Sequence, residues 1–111
     1  MTPKHRSIVR SNEAQRRNFL GVDFVVLSHG PESMMTKMLY KREDNPPDHQ
    51  HPNEQSGYVI SGRYRIVIDG VAHTISHGDS YSIPRNVEHR IEIIEPGEVL
   101  DCFSPPRKDY M

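Results

Sequence analysis

Arg63-Tyr64-Arg65-Ile66-Val67-Ile68-Asp69-Gly70-Val71-Ala72-His73-Thr74-Ile75 decides the fold class. Tyr64, Ile66 and Ile68 alternate with Arg63, Arg65 and Val67, so one face is apolar and the other largely polar, the period of a strand with one side against a core. Asp69-Gly70 supplies a two-residue turn of the kind that demands positive φ, and Val71 to Ile75 returns as the partner strand. His77-Gly78-Asp79 makes the next turn.

Working outward, strand-like segments recur at short spacing with turn residues between them. Val22 to Leu27 and Met34 to Tyr40 flank His29-Gly30-Pro31, and Tyr58-Val59-Ile60 runs into Ser61-Gly62. Tyr81 to Ile83, Arg90 to Ile94 and Val99 to Phe103 complete the set, punctuated by Pro84 and Pro96-Gly97. Only Asn12 to Phe19 reads as helical, with Gly21 ending it. No ten-residue helical crossovers separate the strands, which argues against a parallel α/β fold and for an all-β, antiparallel barrel of jelly-roll type. Asn45-Pro46-Pro47 makes a stiff loop, because proline lacks the donor N–H that a central strand needs. Ser104-Pro105-Pro106 does the same near the C-terminus, so residues 104–111 read as an extended tail packed outside the barrel.

A chain of 111 residues with 34% apolar residues, no Trp and a mean hydropathy of -0.72 has the core of one domain. The formal net charge is -1, and Lys and Arg are scattered, which excludes an obvious nucleic-acid footprint. The most basic stretch, Lys4-His5-Arg6 to Arg16-Arg17, is broken by Glu13, has no interleaved aromatics and reads as a solvated face. Cys102 is the single cysteine, so there is no intrachain disulfide framework. The apolar stretch Phe19 to Leu27 is too short to span a bilayer, and no signal-peptide pattern opens the chain. The expectation is a soluble, cytoplasmic protein with a small-molecule partner and no membrane contact.

His49-Gln50-His51 places two imidazoles on one face if the chain is extended, and Gln55 can share that face while Glu54 points away. Glu54 is the second choice for the third ligand. His89 follows thirty-eight residues after His51, in a Gly78/Pro84-framed turn that a barrel can bring across its cavity. Together His49, His51, Gln55 and His89 read as a site for one divalent transition metal, and imidazole suits Mn, Fe, Ni and Zn alike. His5, His29, His73 and His77 sit in the terminus or near turns and read as merely exposed or hydrogen-bonded histidines.

These residues resemble the two motifs of the cupin superfamily. His49-x-His51-x3-Gln55-x6-Gly62 follows the first motif with Gln for its Glu, and Gly78-x5-Pro84-x-Asn86-x2-His89 follows the second with Asn for its second Gly. Asn tolerates the left-handed conformation that such a Gly adopts. The resemblance implies a double-stranded β-helix barrel over residues 34–103, with residues 1–33 as an N-terminal arm of strands in the same domain. Gln55 leaves the metal's charge uncompensated, which favours Lewis-acid chemistry on anions and counts against the two-His-one-carboxylate oxygenase pattern.

In Val99-Leu100-Asp101-Cys102-Phe103, alternation puts Asp101 on the face of Val99 and Phe103, opposite Leu100 and Cys102. Alternation leaves open which face is inside. If Asp101 points inward it is a candidate acid/base. Cys102 reads as an inert buried thiol, and Met34, Met35 and Met38 as strand filler. Asp101-x-Phe103-Ser-Pro-Pro-Arg107, with His49-x-His51-Pro-x-Glu54-Gln55, is similar to small cupins of pectin and alginate degradation, the KdgF type. That resemblance implies metal-promoted ring opening of 4,5-unsaturated uronates to linear keto acids. It implies Asp101 moving protons, Arg107 holding the substrate carboxylate in a bidentate contact, and Phe103 packing on the sugar face. The alternatives are a metal-dependent dioxygenase and a non-catalytic barrel that binds a small ligand. Surplus strand material in residues 1–28 and the open edges of a small barrel predict a homodimer.

Overall fold

The computed structural model describes residues 6–111; Lys4 and His5 of the basic stretch lie outside them. Nine strands follow in chain order: β1 Gln15–Phe19, β2 Val22–His29, β3 Met34–Tyr40, β4 Glu54–Val59, β5 Arg63–Ile68, β6 Val71–Ser76, β7 Ser80–Ile83, β8 His89–Glu95 and β9 Gly97–Ser104. Six form one sheet in the order β1-β2-β3-β9-β4-β7, and three form the other as β6-β5-β8. All pairings are antiparallel, and the fold is an antiparallel barrel of jelly-roll type. Among the described residues no helix is long and apolar enough to cross a membrane.

Strand alternation sets the core. Val22, Phe24 and Val26 of β2, and Met34, Thr36, Met38 and Tyr40 of β3, are buried at every second position. Tyr64 and Ile66 of β5 meet them from the other sheet, so the hairpin read from residues 63–75 faces inward as expected. Its turn has φ of 51° at Asp69 and 78° at Gly70, both left-handed as a two-residue hairpin demands.

One expectation fails in the N-terminal arm. Residues 12–19 are not a helix: a single 3-10 turn spans Ser11–Glu13, and Gln15–Phe19 is a strand paired with β2 from Gln15↔Val26 to Phe19↔Val22. Leu20 (φ 52°) and Gly21 (φ 87°) form the turn between them. Gly21 thus closes a hairpin instead of ending a helix, and the apolar alternation of β2 supplies the partner that overrides local propensity.

The C-terminus also differs from expectation. After β9 and Pro105-Pro106 the chain ends in a 3-10 turn at Lys108–Tyr110 that buries the Tyr110 side chain. Tyr110 is buried against Phe24, Phe19 and Phe103, at centroid distances of 4.3, 5.3 and 5.4 Å. Aromatic area of that size gains more inside than along an outer wall.

Candidate metal centre

The two histidine motifs are joined by backbone. His49 and His89 exchange both hydrogen bonds, N–H to O at 3.0 and 2.9 Å, and Asn86 N–H donates to the His51 carbonyl at 2.8 Å. Asn86 has φ 61°, the left-handed conformation that an Asn can replace a Gly to supply. The pair His49 and His51 does not lie on a regular strand; it occupies an extended segment ahead of β4, tied to the start of β8 by the isolated His49↔His89 bridge. Pro46, Pro47 and Pro52 cannot donate to a ladder, which is why the strand begins only at Glu54.

Three imidazoles converge. One ring nitrogen from each of His49, His51 and His89 lies within 4.8 Å of the others. Each Nδ1 faces a backbone carbonyl: His49 to Pro47 at 3.2 Å, His51 to Asn53 at 3.0 Å and His89 to Val87 at 2.8 Å. A carbonyl only accepts, so each Nδ1 carries the proton and each Nε2 presents a lone pair to the shared centre. Burial holds all three rings below the ordinary histidine range, His89 at about 4, so they stay neutral near pH 7.

Gln55 faces the histidines and Glu54 does not. Gln55 is buried, with Oε1 3.0 Å from His51 Nε2, whereas Glu54 is exposed on the other face of β4. The Gln55 side chain lies between His51 and Asp101, with its oxygen toward His51 and its amide on the side of Asp101, whose carboxyl it lowers against the effect of burial. Two acceptor lone pairs therefore face each other at 3.0 Å, and the buried His89 Nε2 has no hydrogen-bond partner. A cation shared by the imidazoles and the amide oxygen satisfies all of these atoms at once, and three imidazoles with one carbonyl oxygen are a donor set for a divalent transition metal.

Asp101 points inward. It is 2% exposed and accepts from the Tyr81 hydroxyl at 2.5 Å, and burial pushes its carboxyl up to about 6. The same alternation turns Cys102 outward: it is exposed, which corrects the reading of a buried thiol. Met34 and Met38 fill the core as expected.

Arg107 is not a free tail residue. It is 3% exposed, with its guanidinium 3.9 Å from the Tyr110 ring centroid, 4.8 Å from Phe19 and 5.3 Å from Phe103. Phe103 is 1% exposed and packs edge-on to His51 at 5.7 Å. It lines neither of the two cavities at the site, so it backs His51 and Arg107 instead of offering a face to a sugar.

Those cavities differ in size. The inner one, with Asp101, Tyr81, Gln55 and His89 in its wall, measures about 40 Å³, room for one or two waters. An open cleft of about 590 Å³ lies outside it, lined by His49, His51, Asn53, Lys108 and Asp109. Phe19, His49 and Arg107 belong to both walls and form the partition.

Phe19, Tyr81 and Asp109 are therefore site residues that the sequence reading missed. Phe19 was hidden by the helical reading of residues 12–19. Tyr81 carried a usable signal, since it shares parity with buried Ile83 on β7.

A family model for the cupin domain matches residues 36–103. The pectin degradation protein KdgF of Dickeya dadantii is 29% identical over 93 residues, covering 82% of this chain and 84% of that protein. The solved structure of KdgF from Halomonas sp. superposes with a TM-score of 0.85 at 28% identity, over 96% of this chain and 99% of that one. An RmlC-like cupin from Shewanella frigidimarina shares the fold with a TM-score of 0.90 at 24% identity, covering 98% and 100% of the two chains. With both motifs folded into one three-histidine pocket, the chain belongs to the cupin family and is a small cupin resembling KdgF.

Proposed function

We propose that this protein is an enzyme that opens 4,5-unsaturated uronates and tautomerises them to linear keto acids. The observation that carries the reading is a buried carboxyl, Asp101, that shares the wall of one cavity with Gln55, His49, His89 and Arg107 of the three-histidine pocket. The relationship to a pectin degradation protein supports the substrate class.

The reaction needs no oxidant. The anomeric hydroxyl gives up its proton, the ring carbon–oxygen bond breaks to leave an aldehyde and an enolate that takes that proton to become an enol, and the enol then gives up its O–H proton as it takes one at carbon to become a ketone. A divalent ion held by His49, His51, Gln55 and His89 would supply Lewis acidity toward the sugar oxygens. The outer cleft has the volume of a small-molecule site and takes the sugar ring. Arg107, in the partition, meets the carboxylate. Asp101 sits behind that partition, in space for one or two waters, and exchanges protons with the substrate through a bridging water. A carboxyl at about 6 is balanced between giving and taking a proton near neutrality.

The deciding experiment follows the loss of conjugated-alkene absorbance of an unsaturated uronate with metal-loaded protein. Asp101→Asn is expected to lower the rate by about 10²- to 10⁴-fold with the metal retained. Decay no faster than without enzyme removes the substrate assignment.

The same reading includes residues 1–33, of which 1–5 lie outside the described residues, as an arm of one domain with the 34–103 barrel, a cytoplasmic location and a homodimer. Edge strand β1, whose first four residues are exposed, supports the dimer. A monomeric mass by light scattering overturns it.

A further inference from the structure

We propose that Tyr81 is the positioning residue for Asp101, and that position 57 must be glycine for Tyr81 to do so. Three strands bring these residues into one row: Gly57 of β4 lies opposite Tyr81 of β7 on one side and opposite Asp101 of β9 on the other. A side chain at the centre of such a row normally separates its two neighbours. Here the centre is empty, and the Tyr81 ring lies across it with its hydroxyl donating to Asp101 Oδ1 at 2.5 Å. A methyl group built on Gly57 overlaps the Cζ and the hydroxyl oxygen of Tyr81, which are body and tip of a planar ring and cannot bend aside as a flexible chain would. Gly57 has no left-handed φ to explain it, so the close approach of Tyr81 is what the position requires.

Among the described residues Asp101 has no lysine or arginine in hydrogen-bond contact; the Tyr81 hydroxyl donates to it, and the Gln55 amide lies on its other side. Tyr81 thereby fixes one carboxyl oxygen of Asp101. A merely structural tyrosine would contribute its ring, which Phe keeps. Only the hydroxyl performs the positioning.

The catalytic consequence rests on the uronate reading, while the hydrogen bond itself does not, and two measurements on the full chain separate them. In the zinc-loaded protein, the solvent-shielded Tyr81 O–H is expected as a proton resonance downfield of the amides that disappears in both Tyr81→Phe and Asp101→Asn. Tyr81→Phe should lower kcat at least tenfold with KM within about threefold, and it should add nothing to Asp101→Asn in the double variant. Gly57→Ala should reproduce the loss of resonance and of kcat; if it does not fold, Tyr81→Phe, which keeps the ring, decides alone. A Tyr81→Phe protein with wild-type kcat, or a resonance that survives it, overturns the proposal. Absence of turnover in the wild type with the resonance present removes the uronate reading and leaves the Tyr81–Asp101–Gly57 arrangement standing.

Discussion

Asp109 grips Arg107 from two residues away in the same turn: Nη2 donates to Oδ2 at 2.7 Å and Nε to Oδ1 at 3.2 Å. This is the fork geometry expected of a bound carboxylate, so the protein's own side chain fills the place assigned to the substrate's acid group. Arg107 is buried while the Asp109 side chain is 52% exposed, so the acid is the member able to leave.

Asp109→Asn is therefore expected to raise affinity for a saturated uronate such as D-galacturonate by about 2- to 5-fold, the worth of a half-exposed ion pair. Calorimetric titration measures it, with Arg107→Gln as the variant that loses binding. Weaker binding in Asp109→Asn would mean that Asp109 holds the guanidinium for the ligand.

The metal ligands give a second expectation. His89→Ala should lower metal affinity by more than the roughly 10- to 100-fold typical of losing an outer-shell partner. Elemental analysis reads it directly, and equal metal content in wild type and variant removes the site. Gln55→Glu should retain metal but slow turnover, because the added carboxylate cancels one charge of the ion.

Stability of the metal-free protein should respond to pH in two opposed ways. The folded-state pKa of His89 is lowered to about 4, so below the ordinary histidine range the unfolded chain takes up a proton that the folded chain refuses. Its contribution is present above about 6.5 and is lost as pH falls toward 4. Asp101 is raised to about 6, so its contribution is full below 3.8 and is lost as pH rises through 6. Denaturant titrations across pH 4 to 7 should show Asp101→Asn steepening the gain in stability with pH, since the opposing group has been removed. An unchanged slope contradicts the assignment.

Tyr110→Ala should destabilise the fold by about 3 to 5 kcal/mol, as loss of a large buried ring does. Urea unfolding checks this, and a change within 0.5 kcal/mol, the size of a typical surface effect, would place the C-terminal turn outside the core.

Legibility from sequence followed the range of the interactions involved. The hairpin at 63–75, the strand segments of β2 and β3 and the alternation of β9 are patterns carried by neighbouring residues, and they formed strands as read, with the one difference that Val67 is buried and Ile68 only partly so. The residue types at His49, His51, Gln55 and His89 announced a shared centre, and Asn86 announced its own left-handed turn. Residues 12–19 misled because nothing local distinguishes a polar edge strand from a short helix; only pairing with β2 decides it. The inward course of Tyr110, the Asp109 contact and the Tyr81–Asp101 bond join elements distant in the sheet order or lie in irregular chain, where no periodicity records them.

The His49–His89 bridge spans the two sheets, because His49 leads into β4 of the larger and His89 begins β8 of the smaller. An ion seated there is a rivet through both leaves of the sandwich. Every increment of metal affinity adds directly to the free energy of unfolding, and chelation should open the barrel from this seam first.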